Sequence, residues 1–154
     1  MNVALEPAKQ PEVLALIDQL DDYQRPLYPA ESHHGIDIDA LSQPNVLFAV
    51  ARGDTGDAIA CGAIVLGAEY GELKRMYTVP GHRGKGLAKA VLSLLEHEAG
   101  LRDCKRFMLE TGYLQPEAIT FYERSGYRLR GPFGAYEDDP NSVFMEKSLT
   151  DEPR

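Results

Sequence analysis

Val79-Pro80-Gly81-His82-Arg83-Gly84-Lys85-Gly86-Leu87-Ala88 follows a strand-like run, Glu72 to Thr78, and precedes a long amphipathic helix pattern that reaches about Ala99. Strand, Gly-rich turn and helix start in that order aim backbone N–H groups and the positive end of a helix dipole at an anion. Gly84 and Gly86 leave the backbone open to close approach by a pyrophosphate. Two familiar phosphate loops do not fit. A Walker A loop needs Ser or Thr after its Gly-Lys, and Lys85 is followed by Gly86. The third glycine of a dinucleotide fingerprint would fall where this chain has Lys89.

The stretch resembles the Arg/Gln-x-x-Gly-x-Gly/Ala signature of the GNAT superfamily of N-acetyltransferases, with Arg83, Gly86 and Ala88 at its defining positions. Pro80 before the loop, Glu72 on the preceding strand and Phe121-Tyr122-Glu123-Arg124-Ser125-Gly126-Tyr127 downstream extend the likeness from Glu72 to Tyr127. It implies an α/β (α+β) GNAT fold, with a mixed, mostly antiparallel central sheet splayed around the cofactor and flanked by helices. Residues 1–154 are expected to form a single acetyltransferase domain. The implied co-substrate is acetyl-CoA, with no metal, and the implied partner is a small-molecule amine; a homodimer is left open.

The chain bounds the reading further. At 154 residues it is the size of one domain with a real core. No apolar run approaches the ~18 residues of a membrane span. Met1 to Glu6 lacks the basic flank and apolar core of a signal peptide. Cys61 and Cys104 read as reduced, packed residues of a cytoplasmic protein, with a disulfide as the second choice. The formal net charge of −8 opposes sequence-independent binding to nucleic acid or anionic membrane.

The periodicities predict a short first strand at Val3 to Leu5 and a helix from Pro11 to Leu20. A short helix near Asp37 to Leu41 follows an irregular stretch from Tyr23 to Gly35. Val46 to Ala51 and Ala58 to Leu66 read as strands joined by the turn Asp54-Thr55-Gly56-Asp57. A third strand carries Glu72. Leu87, Val91, Leu95 and Ala99 line one face of the helix after the loop. A strand at Arg106 to Glu110, a helix at Pro116 to Arg124 and strands at Tyr127 to Arg130 and Ser142 to Lys147 complete the chain.

Acyl transfer from a thioester to an amine needs a base, because a free alkyl ammonium with a pKa near ~10.4 cannot attack at neutral pH. By the resemblance, Glu72 is the candidate base. Period-two alternation puts Glu72, Lys74, Met76 and Thr78 on one strand face and Leu73, Arg75 and Tyr77 on the other. Neither face is cleanly apolar, which suits a lined cleft; the other reading is a charged strand in which Glu72 pairs with Lys74 or Arg75. By the same resemblance, through Phe121-Tyr122-x-x-x-Gly126-Tyr127, Tyr122 is the candidate acid for the departing thiolate; the other reading is an aromatic packed on the sheet. Phe121 and Tyr122 point in different directions, so at most one is expected to be ordinary core.

The resemblance implies that backbone groups of Met76, Tyr77 and Thr78 pair with the pantetheine amides, which physically is strand addition to an exposed edge. Arg83, Gly84, Lys85, Gly86, Leu87, Ala88 and Lys89 are expected around the pyrophosphate. Gln115 stands near where many family members have an Asn on the pantetheine arm, and it is left out of the cofactor set. By the resemblance, Tyr28, Glu31, Ser32 and His33 are the expected acceptor-pocket residues; the other reading is an ordinary surface loop. His33 and His34 lack further partners at metal-ligand spacing. The rival reading is a non-catalytic acyl-CoA sensor or interaction module, and a protein or peptide acetyltransferase is a third.

Overall fold

Val46-Leu47-Phe48-Ala49-Val50-Ala51 is apolar throughout, which suits a strand covered on both faces. The computed structural model describes residues 2–32 and 36–149. In it this run is the strand β2 (Val46–Arg52). Leu47, Ala49 and Ala51 face one apolar layer, and Phe48 and Val50 face the other. The remaining strands are β1 (Asn2–Leu5), β3 (Ala58–Leu66), β4 (Gly71–Thr78), β5 (Arg106–Gly112), β6 (Arg128–Arg130) and β7 (Ser142–Ser148). The helices are α1 (Pro11–Gln24), α2 (Ile38–Leu41), α3 (Leu87–Leu101) and α4 (Pro116–Arg124).

The strands form one mixed sheet in the order β1-β2-β3-β4-β5-β7-β6, antiparallel at every junction except β4–β5, which is parallel. Helix α3 lays Leu87, Val91, Leu95 and Ala99 on one face of the sheet, all buried at the i, i+4 spacing of a single stripe. Val13, Leu16, Ile17 and Leu20 of α1 cover part of the other face, and Met108, Phe133 and Phe144 form a third cluster beside it. No helix among the described residues is long and apolar enough to cross a membrane.

Pairing between β4 and β5 is confined to Gly71↔Phe107 and Glu72↔Met108. Beyond those pairs the two strands part, and the open wedge between them is the cleft of the molecule. The simple alternation expected along β4 fails at the same place. Opposite Cys61 and Ala63 the β3–β4 register shifts, and Arg75 takes φ 56. A bulge inserts one residue and reverses the faces that follow it. Leu73 and Met76 therefore both meet the α3-side core, whereas Tyr77 joins the α1-side core. Leu73 and Tyr77, expected on one face, lie on opposite ones.

Helix α1 runs past its apolar stripe, which ends at Leu20, to Gln24. Its last turn is polar, so periodicity gave no sign of it. Arg75 holds that turn through Asp21.

Candidate active site

The wedge between β4 and β5 opens into a cleft of about 970 Å³. Met76, Tyr77 and Thr78 form one wall, the start of α3 a second, and Pro116, Phe121 and Tyr122 of α4 a third. Because β5 has diverged, the β5-facing edge of β4 from Arg75 to Thr78 lacks a strand partner there, and an extended ligand can add to it. At the far end Gly84 and Gly86 hold φ 81 and 79, and Gly86 is the N-cap of α3. A β-branched residue would be a severe outlier at such angles.

Ala90 N–H reaches back to Gly86 O at 3.0 Å, so the amides of Leu87, Ala88 and Lys89 precede the first intrahelical bond. The turn and helix start thus form a cradle of N–H groups with the dipole's positive end behind it. Arg83, Gly84, Gly86, Leu87, Ala88 and Lys89 line the cleft; Lys85 is exposed in the turn but outside the lining. Arg83 donates from Nε to Thr78 O at 3.2 Å and rests over the Tyr23 ring. This cradle, joined to a free strand edge, fits the pyrophosphate and amide arm of a coenzyme A thioester.

A second cavity of about 140 Å³ adjoins the cleft. The two share Leu20, Met76, Gln115, Ala118 and Tyr122. Tyr28 and Ser32, expected there from sequence, line it. Tyr28 lies flat over Gly112, where a Cβ would overlap its hydroxyl, and it donates to Gln115 Oε1 at 3.1 Å. Ser32 donates to Asp139 Oδ2 at 2.6 Å and accepts from Asn141 Nδ2 at 3.3 Å. Glu31 is exposed and lines a neighbouring groove instead. His33 lies outside the described residues.

The two candidate catalytic side chains occupy different surroundings. Glu72 lines that neighbouring groove, which joins the small cavity at Ser32, Lys74 and Asn141. Its carboxylate accepts from Tyr136 Oη at 2.5 Å and lies 3.1 Å from Lys74 Nζ. Lys74 Nζ in turn donates to Tyr136 Oη at 2.6 Å. Burial, then the hydrogen bond to Glu72, pushes the Tyr136 phenol above its ordinary range.

Tyr122 sits at the junction of cleft and cavity. Burial raises its phenol too, which keeps it protonated. Tyr122 lines both cavities, and no bond from its Oη to a described residue is formed. Phe121 and Tyr122, with ring centroids 5.2 Å apart, both pack on the α3-side core. Of the two only Tyr122 is buried, and Phe121 is half-buried, in keeping with the expectation that at most one is ordinary core.

Arg75, read from the sequence only as a possible partner of Glu72, and Gln115, left out of the cofactor set, both line the site. Arg75 lines the small cavity with φ 56, a left-handed conformation that costs a non-glycine residue roughly 1–2 kcal/mol. Its guanidinium ties Asp21 of α1 and Ile36 O to β4. Gln115, at the N-cap of α4, lines both cavities.

A parted parallel pair of strands, an anion cradle at one end of the gap and a small polar cavity at the other define an N-acetyltransferase. The sequence pattern of the acetyltransferase (GNAT) family matches residues 14–127, and the chain belongs to that family. It is 42% identical over 151 residues to the IAA acetyltransferase of Azospirillum brasilense, covering 97% of this chain and 98% of that protein. It is 35% identical over 153 residues to the uncharacterized N-acetyltransferase YsnE of Bacillus subtilis, covering 97% and 100%. Among solved structures it superposes on a Klebsiella pneumoniae protein provisionally assigned as an acyl-CoA N-acyltransferase, with TM-score 0.83, 39% identity and 97% of each chain covered.

Proposed function

We propose that this acetyltransferase moves the acetyl group of acetyl-CoA to a primary amine of a small molecule, by direct transfer while both are bound. The observation that supports it most is the meeting of the two cavities at Met76, Ala118 and Tyr122. A thioester laid along β4 would present its carbonyl there, and an amine in the smaller cavity would reach it without an intermediate carrier. A partly open space of about 140 Å³ holds a group about the size of one ring, which favours a small acceptor over a folded protein.

Neither cysteine lines the cleft or the small cavity. Burial pushes the Cys61 thiol up to about 12, and its Sγ faces Arg75 O at 3.4 Å. A buried, protonated thiol is a poor nucleophile, which supports direct transfer over an acyl-enzyme.

In this reading acetyl-CoA supplies an activated acyl carbon and a thiolate leaving group. The chain's residues bind, orient and move protons. Met76, Tyr77 and Thr78 hold the amide arm, and one of their N–H groups is the oxyanion donor. Arg83, Gly84, Lys85, Gly86, Leu87, Ala88 and Lys89 hold the pyrophosphate. Glu72 takes a proton from the acceptor ammonium through water in the opening beside Lys74, since its carboxylate lies in the adjoining groove. As the C–N bond forms and the C–S bond breaks, Tyr122 gives its proton to the departing sulfur and regains one from the nitrogen. The balance is one amide, one free thiol and one proton released for each ammonium consumed.

The test is titration with CoA followed by thiol release over a panel of amines. CoA binding with thiol release that requires an amine is the expected result. CoA binding with no amine-dependent release would leave a sensor and remove the transfer reading.

A further inference from the structure

Arg75 lines the acceptor cavity, and its side chain is 10% exposed. A guanidinium carries five N–H donors. Nε and Nη2 donate to Ile36 O at 3.3 and 3.0 Å, and Nη1 donates to Asp21 Oδ1 at 2.5 Å. One N–H on each terminal nitrogen has no partner among the described residues. Two N–H groups on a planar, buried cation match the two oxygens of a carboxylate in a way an ammonium does not.

The opposite wall carries the complementary sign. Glu110 of β5 lines the same cavity and accepts from Ser142 Oγ at 2.7 Å. The charged lining residues are Asp21, Lys74, Arg75 and Glu110, two of each sign. A cavity balanced in this way suits an acceptor that is itself neutral overall but carries both charges. Leu20, Leu73 and Leu109 supply the apolar part of the wall.

Resting on the proposed transfer to a small amine, we infer that the acceptor is an α-amino acid with an apolar side chain, its carboxylate bound by Arg75 and its amine turned toward Glu110. The position of Arg75 fits the role. Its left-handed backbone at the bulge is strained, and strain of this kind collects at ligand-binding sites. The same bulge sets the direction of Met76, the neighbouring wall of the cofactor cleft.

Matched pairs that differ only by the carboxylate test this: phenylalanine against phenethylamine, and leucine against isoamylamine. Thiol release by the wild type is expected to favour the amino acid by about 10- to 100-fold in kcat/KM, the range of a charged hydrogen-bonding group. Isothermal titration into CoA-saturated protein should show the same order of affinity. Arg75→Asn accepts the left-handed backbone and should bring the ratio toward one, chiefly through KM for the amino acid. Should that variant show no CoA-dependent thermal shift, Arg75→Lys serves instead. It keeps the charge without the planar fork, and an intermediate ratio is expected.

Equal or better turnover of the amines by the wild type overturns the inference and leaves the transfer reading intact. An equal loss for both series in the variants also overturns it. Thiol release with neither series but with another amine of the panel overturns the acceptor assignment alone, and release with no amine despite CoA binding removes the transfer reading as well.

Discussion

The Tyr136 hydroxyl donates to Glu72 Oε2 at 2.5 Å, and Lys74 Nζ lies 3.1 Å from the same oxygen. Both contacts hold the carboxylate in a fixed position at the groove. The same contacts satisfy the plainer reading of Glu72 as a structural charge paired with Lys74. Turnover separates the two. Glu72→Gln should lower turnover and leave acetyl-CoA affinity nearly intact, since the base acts on the amine. The loss should shrink as pH approaches the amine's own pKa, where solvent removes the proton. Lys74 keeps Tyr136 as a partner in the variant, so the fold should persist. A wild-type rate from about pH 6 to 9 would make Glu72 structural.

Much of this site could be read from the chain, for physical reasons that stop at definite residues. The stripe of Leu87, Val91, Leu95 and Ala99 repeats with the helical period, so both α3 and the turn before it were legible. Arg75 was not. A bulge depends on how two strands pair, and a left-handed arginine leaves no mark in sequence. Misplacing that one residue misassigned the faces of Met76 and Tyr77 after it. Tyr136 reaches Glu72 across 64 positions from a segment without periodicity, so no local pattern could join them. Glu72 itself was placed by resemblance, and its partner Lys74 was among the pairings the strand allowed.

Gly86 tests the anion cradle. A ligand that binds only the folded state adds about 2.7 kcal/mol of stability at a hundredfold excess over its dissociation constant. CoA should therefore raise the melting temperature of the wild type. A Cβ at Gly86 would meet nothing within 4 Å, but φ 79 is hostile to a β-branched residue. Gly86→Val should melt lower and lose the CoA-dependent shift, because both the loop shape and the open backbone are gone. Gly86→Asn tolerates the left-handed angle and should lose less intrinsic stability. An undiminished shift in folded Gly86→Val would place the pyrophosphate elsewhere.

Acid stability should depend on Glu6. Arg52 donates to it from Nε at 3.0 Å and from Nη2 at 2.8 Å, joining β2 to the segment before α1. These hydrogen bonds, against the opposing effect of burial and with help from Gln10, hold the carboxyl below its ordinary 4.5. A depressed folded value means the stabilisation is present above 4.5 and is lost as pH falls through that lower value. Glu6→Gln should melt lower than wild type at neutral pH, and the gap should close on acidification. A gap that is constant from neutral pH to about pH 3 would show that the contact contributes no pH-dependent stability.

Tyr122→Phe tests the acid. The ring is kept, so its packing against Phe121 and Tyr127 and the fold should survive, and only the hydroxyl and its proton are lost. Burial holds the phenol above its ordinary range, so the proton is present across the working pH. If protonation of the departing thiolate limits the rate, kcat should fall by about 10- to 1,000-fold while CoA binding changes little. A donor whose thiol has a lower pKa leaves readily without a proton, so its loss should be smaller. The natural thioester and such an activated analogue are therefore measured side by side, with CoA affinity taken from thermal shift. Equal losses with both donors would make Tyr122 a positioning residue at the junction of the two cavities, with water protonating the sulfur.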